Sequence, residues 1–281
     1  MALAGIGEIA SHQGALDRAG KACEEGLELL AHEASQAKIY LLLSLGKVAW
    51  MREDYNWATQ LNEESVALSR EIEHGLGLAS SLFGLALVSQ YRGDSERATE
   101  LYEESMDLFR EQGDKQGLAF CLHNLGMMAI SQGDLVRAAK LTEESAALFR
   151  ELGSRGDISV SLNNLGWIAF LRNDLGKAVD LYKQSLALAW ETGMYTVVLD
   201  DLEGFACLAG AQGDAVRAAQ LRGAAEALHE ATGYPRDPTS YAEMEPYLAS
   251  GRSKIHEAVW AKAWEEGRTM TLEEAVSYAL E

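Results

Sequence analysis

One pattern recurs through most of this chain and restricts what it can fold into. Turn signals stand at Gly14, Glu53-Asp54, Gly93-Asp94, Gly133-Asp134, Asn173-Asp174 and Gly213-Asp214, and from Glu53 onward they are 40 residues apart. The stretch 161–193, SLNNLGWIAFLRNDLGKAVDLYKQSLALAWETG, shows the unit. Leu162, Leu165, Ile168 and Ala169 fall on one face of a first helix, and Ala178, Leu181, Tyr182, Ser185 and Leu188 on one face of a second. A Gly or Asn before the turn suits the left-handed residue that ends a helix, and the Asp after it can cap the next one. An Ala follows each turn, at 19, 58, 98, 138, 178 and 218, where a small side chain lets two helices approach. Gly113, Gly153, Gly193 and Gly233 mark the ends of second helices, with Glu73-His74-Gly75 departing from the pattern. Self-similarity at a fixed period is the signature of a solenoid. Each repeat packs only on its neighbours, so 281 residues need no single large core.

Proline position supports an all-helical body. The only three, Pro235, Pro238 and Pro246, lie in the last fifth of the chain. After Gly233 the period is lost: YPRDPT reads as a loop, followed by helical segments at 240–249, 254–266 and 272–280. Ser253 and Thr271 are the expected N-caps, the latter with Glu274 as a capping box. Val259, Trp260, Ala263 and Trp264 form an apolar stripe suited to sealing the open end of a solenoid, or to an interface with a further domain or subunit.

The formal net charge is -19. A phosphate backbone or an anionic membrane would be repelled, so neither nucleic acid nor membrane is an expected partner. Cys23, Cys121 and Cys207 lie far apart without metal-ligand spacing, which fits reduced thiols and a cytoplasmic location. The six histidines are scattered, no phosphate-loop motif occurs, and the paired Glu63-Glu64, Glu103-Glu104 and Glu143-Glu144 read as a solvated outer face. No enzymatic chemistry, metal or cofactor is therefore expected. The apolar start MALAGIGEIA carries no polar cap, which is the expectation for a chain cut from a longer protein.

Leu162, Leu165-Gly166, Ala169, Ala178, Tyr182 and Ser185 resemble the tetratricopeptide repeat, with a lengthened unit and without its closing proline. The resemblance implies a right-handed superhelical solenoid of about six hairpins, at about 1–34, 35–74, 75–114, 115–154, 155–194 and 195–233, and C-terminal capping helices over 234–281. The phrase LYEESMDLFREQGD and the tail from RAAQLRGAAEALHEATG onward are similar to the repeat region of large ATP-binding bacterial transcriptional regulators of the LuxR type, with the layout of the maltose-regulon activator. That similarity implies a sensor region that binds a peptide, a small effector or a protein partner. A structural scaffold without an effector is the alternative, and a homodimer is left open.

In such repeats the concave surface is lined by first-helix positions offset from the packing residues. Transferred to this chain, these are Leu43, Lys47, Trp50 and Met51; Phe83, Leu87 and Tyr91; His123, Met127 and Ile130; Asn163, Trp167, Phe170 and Leu171; with Glu203 and Cys207 extending the row. Their aromatic and sulphur content suits an apolar or peptide ligand, although each could instead pack neighbouring first helices. Asn124 and Asn164 are equivalent by the repeat, and a ladder of amides can pair with a peptide backbone. Replacing both by Ala is then expected to abolish binding and leave the melting temperature nearly unchanged.

Overall fold

The computed structural model describes the backbone of residues 2–30, 33–232 and 238–281, and the side chains of residues 15–30, 33–231 and 244–281. Over these residues the chain is helical and contains no strand. The helices are α1 (Ala2–Leu29), α2 (Gln36–Met51), α3 (Tyr55–Glu71), α4 (Gly75–Tyr91), α5 (Ser95–Gln112), α6 (Lys115–Ser131), α7 (Leu135–Leu152), α8 (Arg155–Leu171), α9 (Leu175–Thr192), α10 (Tyr195–Gln212), α11 (Ala215–Thr232), α12 (Pro238–Arg252), α13 (Glu257–Arg268) and α14 (Leu272–Leu280). They form two compact units. One is Ala10–Leu148; the other is Phe149–Glu281 together with Met1–Ile9.

Local chemistry explains the hairpins. Asp54, Asp94, Asp134, Asp174 and Asp214 each accept the backbone N–H three residues on, from Trp57, Arg97, Arg137, Lys177 and Arg217. The acceptor satisfies one of the free amides at each helix start. Ala58, Ala98, Ala138, Ala178 and Ala218 are wholly buried. The repeating serine has a role that the periodicity alone does not disclose. The hydroxyls of Ser105, Ser145 and Ser185 donate to the carbonyls of Ala79, Ala119 and Ser159, at 2.8, 2.9 and 2.9 Å. Each bond ties a second helix to its own first helix while satisfying a buried polar group.

Within Ala10–Leu148, α2 packs on α3, α3 on α4, α4 on α5 and α5 on α6. Ile39, Leu42, Leu45, Ala58 and Leu61 form one core cluster, and Leu82, Ala86, Leu101, Tyr102 and Leu125 another. Within Phe149–Glu281, α8 packs on α9, α9 on α10 and α10 on α11. The last three helices fold onto that stack, α12 against α10, α13 against α11, and α14 against α9, α10 and α11.

Two local expectations are corrected. Helix α1 runs through Gly14 without a turn, and Ala19 is exposed, so no second helix leans on it there. His256, not Ser253, caps α13, accepting from the Ala258 amide at 3.2 Å. The capping box of Thr271 and Glu274 is present as expected, and Gly233 lies outside the described residues.

The turns also carry strain. Gly93, Gly133 and Gly213 hold φ between +77 and +88, but Glu53 and Asn173 stand at the same step with φ of 60. Side chains other than glycine incur a steric cost in that region. Glu53→Gly is expected to stabilise the chain by about 1 kcal/mol, measurable as a higher urea midpoint with an unchanged slope.

Candidate functional site

The face most suited to a ligand is the one first helices present. In Ala10–Leu148 it is formed by α2, α4 and α6. Leu43, Trp50, Phe83, Leu87, His123, Asn124 and Met127 are half-buried there, and Lys47 is exposed. Tyr91 is 57% exposed and Met51 46%. The Trp50 and Tyr91 rings meet edge to face at 5.2 Å, and Tyr55 stacks on Tyr91 at 6.1 Å. Trp50 Nε1 is enclosed with no hydrogen-bond partner among the described residues. Phe83 turns toward the core, edge-on to Tyr102 at 5.5 Å, and Ile130 is buried.

Charge sets this face apart. None of the chain's 43 Asp and Glu residues lies on α2, α4 or α6, whose only charged side chains are Lys38, Lys47 and Lys115. The second helices are the opposite: Glu63, Glu64, Glu103, Glu104, Glu143 and Glu144 are all exposed, as expected of an outer face. A purely random placement would not leave three helices of an acidic protein without one carboxylate. An exposed apolar surface that excludes like charge is the kind of patch that marks an interaction site.

In Phe149–Glu281 Asn163 and Leu171 are half-buried, but four of the corresponding residues are covered, which corrects their expected exposure. Trp167 and Phe170 are 8% and 5% exposed. The ring of Tyr247, on α12, lies edge-on to Phe170 at 4.7 Å and to Trp167 at 6.1 Å. Cys207 is buried beside the Met244 carbonyl, and burial pushes its thiol pKa up to about 12, so it is neutral. Glu203 does not face a groove: its carboxylate is paired with the Arg222 guanidinium, and both side chains are buried. His229 Nε2 lies 3.7 Å from the same carboxylate.

The two amides of the expected ladder differ in their surroundings. Asn124 donates its side-chain N–H to the Phe120 carbonyl of its own helix at 2.9 Å, and Asn164 is buried. Asn163 donates to Asp201 Oδ1 at 2.8 Å. These bonds tie the amides to the scaffold, so their removal is expected to lower stability as well.

Asp201 is fully buried, and burial raises its pKa well above the ordinary carboxylate value, against a smaller lowering by hydrogen bonding. Its contribution to stability is therefore whole below the unfolded pKa of about 4 and is lost as pH rises through the raised folded value. Asp201→Asn keeps the acceptor for Asn163. It is expected to stabilise the chain by about 1–3 kcal/mol at pH 8, with the gain shrinking toward pH 4 in thermal melts.

The remaining clefts are less suited. A cleft lies between α11, α12 and α13, lined by Arg222, Glu226, Glu245, Arg252, Trp260 and Trp264 among others. Its polar groups largely satisfy one another: Arg252 pairs with Glu257, and Trp264 Nε1 donates to Glu226. Among the described residues no His, Cys, Asp and Glu group could hold a metal ion, and no helix is long and apolar enough to cross a membrane.

Comparison with known proteins agrees with the helical repeat. A family model described as tetratricopeptide repeat matches residues 35–111, 77–151 and 118–189. No curated protein matches the chain. Among solved structures, BtubC (BKLC) of P. vanneervenii is similar at a TM-score of 0.63 and 20% identity, over 79% of this chain and 93% of that one. A Rap protein complexed with Competence and Sporulation Factor gives a TM-score of 0.65 and 18% identity, over 93% and 74%. A signal transduction ATPase with a tetratricopeptide repeat sensor, from Pyrococcus horikoshii, gives 0.66 and 16%, over 94% and 41%.

Proposed function

The chain belongs to the tetratricopeptide-repeat family, and from that we propose that the face of α2, α4 and α6 binds a peptide or protein segment without catalysing a reaction. The observation that carries this reading is the absence of carboxylates from three neighbouring helices in a chain of net charge -19. Half-buried aromatic and aliphatic side chains there offer contact area, and Lys47 offers a charge at the rim. The setting we propose is the sensor or interaction region of a cytoplasmic, signal-responsive bacterial regulator. Two similar folds support it: one was solved with Competence and Sporulation Factor bound, and one is named as a sensor of a signal transduction ATPase.

The test is affinity capture by the full chain from extracts of its source organism, comparing wild type with Tyr91→Asp and Val136→Asp. Both positions are exposed, Val136 on α7. A partner retained by wild type and Val136→Asp but reduced at least about tenfold by Tyr91→Asp, equal to about 1.4 kcal/mol, supports the reading. Equal retention by Tyr91→Asp, with the melting temperature of both variants unchanged, removes it.

A further inference from the structure

In Phe149–Glu281 the chain already displays what a first-helix face of this repeat can hold. Helix α12 lies across α10, and its Tyr247 ring reaches Phe170 and Trp167 of α8. The approach is close enough that a Cβ on Gly251 would lie 3.1 Å from the Gly210 Cα, and one on Gly210 would lie 3.0 Å from the Tyr247 carbonyl oxygen. The occupant is thus a helix, seated backbone to backbone at two glycines and anchored by one aromatic ring. Its described residues include Met244, Glu245, Tyr247 and Leu248, an acidic side chain among apolar ones.

Shifting Trp167 back by one, two and three periods leads to Met127, Leu87 and Lys47, and shifting Phe170 by three leads to Trp50. In Ala10–Leu148 the same register is less covered: Lys47 is exposed and Trp50, Leu87 and Met127 are half-buried, while Tyr91, two periods before Leu171, is 57% exposed. An aromatic anchor would find Leu87 and Tyr91 one turn apart on α4, with the Trp50 ring of α2 against Tyr91. Lys47 stands one turn before Trp50. No carboxylate on these helices opposes a negative occupant, whereas a basic segment would be drawn to the carboxylates of α3 and α5 instead.

We infer that the face of α2, α4 and α6 takes an acidic amphipathic helix of a partner protein, its aromatic residue seated against Trp50, Leu87 and Tyr91 and a carboxylate at Lys47. This rests on the reading of that face as the binding surface, and it adds the chemistry and conformation of the occupant. Charge complementarity at Lys47 fixes the sign, and the seat of α12 fixes the shape.

The probe is a fluorescein-labelled peptide with the sequence of residues 238–252 carrying Pro246→Ala, with a twin that also carries Glu243→Lys and Glu245→Lys. Both are titrated against the full chain by fluorescence anisotropy. The acidic peptide is expected to bind wild type about 5-fold more tightly than its twin, and Lys47→Glu is expected to abolish or invert that preference. Circular dichroism checks that Lys47→Glu, a change at an exposed site, leaves the fold intact. The inference is overturned if the twin binds as well as the acidic peptide, if neither binds, or if Lys47→Glu leaves both affinities unchanged. Should either peptide respond to Tyr91→Asp but not to charge, the binding face stands and the acidic helix falls. Equal retention of the partner by Tyr91→Asp in the preceding experiment would instead remove both.

Discussion

Gly267→Ala is expected to release α13 from α11 and to lower stability by about 3 kcal/mol or more. A Cβ at Gly267 would lie 1.9 Å from the Gln220 carbonyl oxygen, and one at Gly223 would lie 2.1 Å from the Trp264 carbonyl oxygen. The obstacles are backbone atoms, so no change of rotamer relieves the overlap. The helices must separate, and separation uncovers the cluster of Ala209, Ala218, Ala219, Trp260 and Ala263. Bonds that tie the chain end down go with it, among them Tyr278 donating to Gln220 at 2.6 Å. Because both glycines serve one crossing, Gly223→Ala with Gly267→Ala should cost less than the sum of the two. Gly176→Ala is the control, since nothing lies within 4 Å of a Cβ there. Urea titration followed by tryptophan emission measures all four variants. A Gly267→Ala midpoint equal to that of Gly176→Ala would contradict the close crossing.

The second large effect concerns the buried charge pair. Glu203→Ala is expected to cost about 3–5 kcal/mol, because the Arg222 guanidinium stays buried after losing this carboxylate. Truncating a buried ion to a neutral group costs more than the pair contributes. Glu203→Leu combined with Arg222→Met should therefore recover most of the loss, with a positive coupling in a double-mutant cycle. If Glu203→Ala unfolds at the wild-type urea midpoint, the pair is not enclosed as the structure has it, in which Glu203 and Arg222 are 6% and 5% exposed.

Much of the architecture is legible in the residues themselves. The turn aspartates, the buried alanines and the left-handed glycines recur because every hairpin solves the same packing problem, and local chemistry at each is sufficient to announce it. Two parts are not legible that way. Gly14 resembles the other turn glycines, yet no Asp follows it to cap a new helix, and α1 continues. That missing cap is a signal the residues do carry. The burial of Trp167, Phe170, Glu203 and Cys207 is different in kind. Their helix positions match those of Lys47, Trp50, Met127 and Leu43; the tertiary placement of α12 covers Trp167, Phe170 and Cys207, and Arg222 of α11 encloses Glu203. Periodicity reports which side of a helix a residue occupies, not what the rest of the chain lays over it. The carboxylate-free face was readable in sequence, because it requires only the charges helix by helix, but it gains meaning once α2, α4 and α6 are seen as neighbours on one side.

If Ala10–Leu148 receives its partner on the first-helix face, hydrogen–deuterium exchange of the purified complex reports it most directly. Comparing full chain alone with full chain bound to its captured partner, slowed exchange is predicted along α2, α4 and α6, around Lys47, Trp50, Leu87 and Tyr91. Protection confined to α3 and α5, or to the cleft between α11, α12 and α13, would contradict it.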